Sequence, residues 1–78
     1  MHTYNLTFER IGRNHSVAPL TIILAEPASD DDIATRVMKY ARPHLRSRDV
    51  EVLVNVEEGH GSILCGFHSG GNFTIETK

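Results

Sequence analysis

The sequence predicts a single α+β domain over residues 1–78: a two-layer sandwich with one helix packed on one face of a five-stranded, mainly antiparallel sheet. Three observations point there. One stretch, Ser29 to Ala41, has helical periodicity; five others have strand character; and no linker, internal repeat or low-complexity segment separates them. With 78 residues the chain can bury only one modest core. Its content of Val, Ile, Leu and Phe excludes a disordered chain.

The alternation over residues 3–10 puts Tyr4, Leu6 and Phe8 on one side and Asn5, Thr7 and Glu9 on the other, the pattern of a half-buried strand. Ile11-Gly12-Arg13-Asn14 supplies turn chemistry, since Gly12 and Asn14 both tolerate positive φ. A second strand is expected within residues 17–25. Pro19 has no N–H to donate, so that strand starts after it or lies at a sheet edge. Its centre, Leu20-Thr21-Ile22-Ile23-Leu24, is apolar toward both faces, and Pro27 ends it.

The helix comes next. Ser29 is an N-cap residue, and Asp30, Asp31 and Asp32 fill the first turn, where the helix dipole favours negative charge. Ile33, Val37, Tyr40 and Ala41 form one apolar stripe. Pro43 disfavours helical geometry at Arg42, so the helix should stop near Ala41. Residues 49–57 then give the clearest strand, with Val50, Val52, Val54 and Val56 opposite Glu51, Leu53, Asn55 and Glu57. Glu58 to Gly61 reads as a turn. Residues 62–67 form a fourth strand with Ile63, Cys65 and Phe67 inward, His68 to Asn72 a second turn, and residues 73–77 a fifth strand with Phe73 and Ile75 inward.

Short connections favour spatial neighbours, so the element order β-β-α-β-β-β predicts sheet order 2-1-3-4-5, with the valines of the third strand against the helix. The outer sheet face should then carry Asn5, Thr7, Glu9, Glu51, Leu53, Asn55, Glu57, Leu64, His68, Thr74 and Glu76. That face is polar and acidic. The back of the helix is basic.

Charge is distributed unevenly. The net charge is −2, yet five of the eight Lys and Arg residues fall between positions 36 and 48, a segment without an acid. No apolar run approaches the ~18 residues that would span a bilayer, and the start, MHTYNLTFER, lacks the pattern of a signal peptide. Cys65 is alone, so there is no disulfide framework. A cytoplasmic protein without a membrane partner is expected.

The binding candidates lie in the basic segment. Arg36, Lys39 and Arg42 recur at spacing three, away from the apolar stripe, and His44, Arg46 and Arg48 follow. Such a stripe complements an acidic protein surface, or tracks the phosphates of DNA or RNA, through charge-assisted contacts for which Arg has bidentate geometry. The rival reading is a solvated helix face, with Arg36 paired to Asp32 one turn away. The acidic sheet has no aromatics on which bases could stack, and a lone helix between strands is not a helix-turn-helix. An acidic protein surface is therefore the leading partner. A nucleic acid is the alternative, and a structural homodimer through an outer strand is the third reading.

Other constellations carry less. Cys65-x-x-His68 has metal-like spacing, with His60 nearby, but structural metals need paired motifs and Cys65 should sit in the core. Cys65 as a nucleophile, with His68 or His60 as base, lacks an orienting carboxylate. His2, His15, His44 and His60 read as isolated surface histidines. Gly59-His60-Gly61 and Gly70-Gly71 fall between strands, which suits hairpin turns and not phosphate loops. Asp30 to Asp32 lack the alternation and terminal glutamate of a calcium loop. Neither a metal, a cofactor nor catalysis is expected.

In architecture and size, the layout resembles that of several small proteins encoded by phages and other mobile elements, some anti-CRISPR inhibitors among them. The resemblance implies a non-enzymatic accessory or inhibitor protein acting by surface contact.

Overall fold

A computed structural model describes residues 1–45, 49–66 and 68–77. The elements run β1 (His2–Phe8), β2 (Leu20–Leu24), α1 (Asp30–Ala41), a 3₁₀ turn over Arg42–His44, β3 (Val50–Asn55), β4 (His60–Cys65) and β5 (His68–Thr77). The α+β class and the β-β-α-β-β-β order match the expectation. The predicted helix boundary at Ala41 is met as well, and β2 starts directly after Pro19.

Helix α1 is fixed at its start by a capping box. Asp32 N–H donates to Ser29 Oγ at 3.1 Å, while Ser29 N–H donates to the Asp32 carboxylate at 3.0 Å. Its stripe of Ile33, Val37 and Ala41 is fully buried, in one cluster with Tyr4, Leu6 and Phe8 of β1 and Ile63, Phe73 and Ile75 of the later strands. Each of Ile33 and Val37 contributes about 1.5–3 kcal/mol by this burial. The Phe8 ring holds the centre, 5.4 Å from the Tyr40 ring and 5.3 Å from Phe73.

The sheet is antiparallel throughout, but its order is β2-β1-β5-β4-β3, which corrects the expected 2-1-3-4-5. β5, not β3, lies beside β1, with Leu6 opposite Ile75 and Phe8 opposite Phe73. Its residues 73–77 pair with β1 and its residues 68–74, apart from the bulged Gly70, pair with β4. β3 becomes an edge, where its exposed Glu51 guards against unwanted pairing. Helix α1 thus connects the two opposite edges instead of folding β3 back next to β1. Both edges reach the helix: Tyr40 donates its hydroxyl to Ala18 O just before β2, and Val56 N–H donates to Asp30 Oδ1 just after β3.

Two turn assignments also change. His60 and Gly61 belong to β4, leaving Glu58 and Gly59 in the turn. His68 to Asn72 is strand, and the β4–β5 turn passes instead through Gly66. Gly70 and Gly71 accommodate a register shift: Ile63 pairs with Gly71 but Leu64 pairs with Ser69, so Gly70 is the extra residue of a bulge. Gly71 has φ +144°, and a Cβ there would strike the carbonyl of Arg10. Ile11, expected in a turn, is completely buried within a tight pairing with Asn14. The inward placement expected for Phe67 lies outside the described residues.

Candidate basic face and its surroundings

Arg36, Lys39 and Arg42 all lie exposed on α1 and its C-terminal cap. The expected Arg36–Asp32 pair does not form. The Asp32 carboxylate is taken by the backbone N–H of Ser29 and, with the Ser29 side chain, this hydrogen bonding holds its pKa below the ordinary value. Among the described residues none of the three cations is paired with a carboxylate. Their charge faces solvent with no described carboxylate in contact.

His44 is exposed in the 3₁₀ turn, but it is not isolated. Its Nδ1 lies 3.3 Å from Asn14 Nδ2 and its ring meets Tyr40 edge-on at 6.2 Å, which ties this end of the helix to the β1–β2 loop. Arg46 and Arg48 lie outside the described residues. Arg10, which the spacing did not single out, is structural: its guanidinium donates to Gly12 O at 2.6 Å and Ser69 O at 3.1 Å, pinning the loop after β1 to β5.

Arg36 and Lys39 do more than point outward. With Leu20, Ile22 and Tyr40 they line a groove of about 280 Å³ between α1 and β2. Its floor is apolar and its rim carries two cations. Among the described residues no acidic side chain lines it.

The opposite side of the sheet has a larger depression of about 400 Å³, bordered by Thr7, Glu9, His60, Ser62, Asn72 and Thr74. It is far from the basic face, and its size alone gives it no chemistry. Here one expectation is corrected: His60 does have an orienting carboxylate, with Nε2 2.9 Å from Glu58 Oε2. The neighbouring Ser62 hydroxyl donates instead to Asn72 Oδ1 at 3.1 Å, so Glu58, His60 and Ser62 do not form a proton relay. Much of the predicted outer face is found as expected, with Thr7, Glu9, Glu51, Leu53, Glu57, His68, Thr74 and Glu76 exposed and Asn5, Asn55 and Leu64 half-buried.

Cys65 is half-buried and packs its sulfur against Gly70, where an added Cβ would come within 2.6 Å. It pairs in register with His68 across the β4–β5 hairpin. Among the described residues no three His, Cys, Asp or Glu side chains converge as a metal site would require. No helix among them is long and apolar enough to cross a membrane.

Comparison of the chain with known families, characterised proteins and solved structures finds no match.

Proposed function

We propose that this chain is a small non-enzymatic binding protein, an accessory or inhibitor protein of the kind mobile elements encode, that presents Arg36, Lys39 and Arg42 to an acidic protein surface. One observation carries the reading. Three exposed cations share one side of a helix, and none of them is neutralised by a described carboxylate. An isolated exposed ion pair is worth little, but three unpaired cations held on a rigid helix can meet several carboxylates without first breaking internal pairs. Arg46 and Arg48 would extend the same charge along the connector.

The supporting frame is a two-layer sandwich, with the sheet as one layer and α1 as the other, leaving the back of the helix free. Burial of Ile33, Val37 and Ala41 among sheet side chains supports it. The lone free Cys65 fits a reducing, cytoplasmic setting.

Binding of poly-L-glutamate by the protein and by an Arg36→Glu, Lys39→Glu, Arg42→Glu variant tests the reading. Saturable binding that the variant loses, with unchanged far-ultraviolet circular dichroism, supports it. Equal binding by both proteins removes the basic face from the interaction.

A further inference from the structure

β2 is written as an interior strand but placed at an edge. Its five residues, Leu20-Thr21-Ile22-Ile23-Leu24, contain no charge. Ile22 is buried toward the helix, while Ile23 on the opposite face is 52% exposed. Strands apolar on both faces belong between neighbours, and natural edge strands are usually guarded by charges, bulges or cover. The other edge, β3, follows that practice with Glu51. β2 has only Pro19 at its start and its short length. Among the described residues nothing pairs with its outer side, although an edge strand directs alternate N–H and C=O groups there.

The groove beside this edge supplies the rest of the site. Leu20, Ile22 and Tyr40 line it, and Arg36 and Lys39 stand over it from α1. Tyr40 holds the helix and the approach to β2 together through its 2.7 Å hydrogen bond to Ala18 O, so the groove is preformed. A strand laid along β2 would place alternate side chains under the helix flank. There their methylenes cover Leu20 and Ile22, and carboxylates reach Arg36 and Lys39. Its other side chains would cover Ile23.

We propose that the partner's acidic segment binds in extended form as a sixth strand on the open side of β2, with acidic residues at alternate positions on Arg36 and Lys39. The proposal rests on the reading of the basic face as an acid-binding surface, and it adds the mode of recognition: backbone hydrogen bonds for affinity and alternate side chains for specificity. Charge argues against a second copy as the occupant. Antiparallel β2–β2 pairing about a two-fold axis would bring the two copies' Arg36 and Lys39 toward each other.

The test uses a blocked, fluorescent peptide of alternating glutamate and valine, long enough to cover the five residues of β2. It is compared with the same peptide N-methylated at alternate amides in each of the two phases, and with an alternating lysine–valine peptide. Anisotropy measures binding, and amide resonances of the labelled protein locate it. The expected result is binding that shifts the amides of Leu20 to Leu24. It should weaken about tenfold or more with one N-methylation phase, and likewise with Arg36→Glu/Lys39→Glu. The lysine peptide should not bind. Binding indifferent to both methylation phases but lost in the charge-reversed variant overturns strand addition and leaves the acid-binding face standing. Absence of binding, or binding indifferent to Arg36 and Lys39, overturns both. A stable dimer whose β2 amides are already protected assigns the edge to a second copy and overturns the proposed occupant.

Discussion

Replacing Gly71 by alanine places a methyl group where β5 crosses the loop after β1. Two costs add there. The residue sits at φ +144°, a conformation L side chains rarely adopt, and the new Cβ would collide with the Arg10 carbonyl. The dihedral costs about 1–3 kcal/mol and overpacking against backbone a further ~1–3 kcal/mol. Relief by movement would strain two neighbouring hydrogen bonds, Gly12 N–H to Gly70 O at 2.7 Å and Glu9 N–H to Asn72 O at 2.9 Å. The expected loss is therefore about 2–6 kcal/mol, a large part of the stability of so small a domain. Gly66→Ala is the control. It shares a positive φ of 61°, but no described atom lies within 4 Å of its added Cβ, so only about 1–2 kcal/mol is expected. Urea unfolding of both variants measures the difference. If Gly71 instead lay in a hairpin turn, the two substitutions would cost the same. Equal midpoints would refute the close crossing of Gly71 over the Arg10 carbonyl.

Three further outcomes are expected. Ser29→Ala removes the cap of α1 and should lower stability by about 1 kcal/mol, read from chemical denaturation. Asp32 has a depressed folded pKa, so its contribution is present above its unfolded pKa and disappears as pH falls through the folded value. As pH falls through and below the ordinary carboxylate range the wild type should therefore lose stability more steeply than Asp32→Asn, as urea midpoints against pH would show. Tyr4→Phe leaves the Ala28 N–H without the phenolic oxygen it reaches at 2.8 Å. Since Tyr4 is buried, about 1–2 kcal/mol should be lost, measured by thermal unfolding.

Local patterns were legible in the sequence because local physics set them. Ser29 with three aspartates, the stripe through Ile33, Val37 and Ala41, and Pro43 after the last turn define α1 without reference to the rest of the chain. The alternation around Tyr4, Leu6 and Phe8 did the same for β1. The strand order was not legible, because it depends on pairing between residues far apart in the chain, β1 with β5, which no local pattern specifies. The full extent of β5 was hidden at Ser69-Gly70-Gly71-Asn72, whose residues have turn chemistry but serve a bulge and a close crossing. The spacing of Arg36, Lys39 and Arg42 gave their exposure correctly. It could not foretell that Asp32 would be held by Ser29 and leave Arg36 unpaired. Nor could it show the groove beside β2, since that groove joins residues far apart in the chain. The Glu58–His60 contact was readable only as a spacing of two across a turn, which is too common to single out.

The most direct test of the central claim is a competition between poly-L-glutamate, duplex DNA and single-stranded RNA for the protein at low and at moderate salt. The account predicts that poly-L-glutamate binds, that Arg36→Glu/Lys39→Glu/Arg42→Glu abolishes this, and that neither nucleic acid displaces it. DNA or RNA binding more tightly, with an affinity falling steeply as salt rises, would contradict it and make the basic face a phosphate-tracking surface.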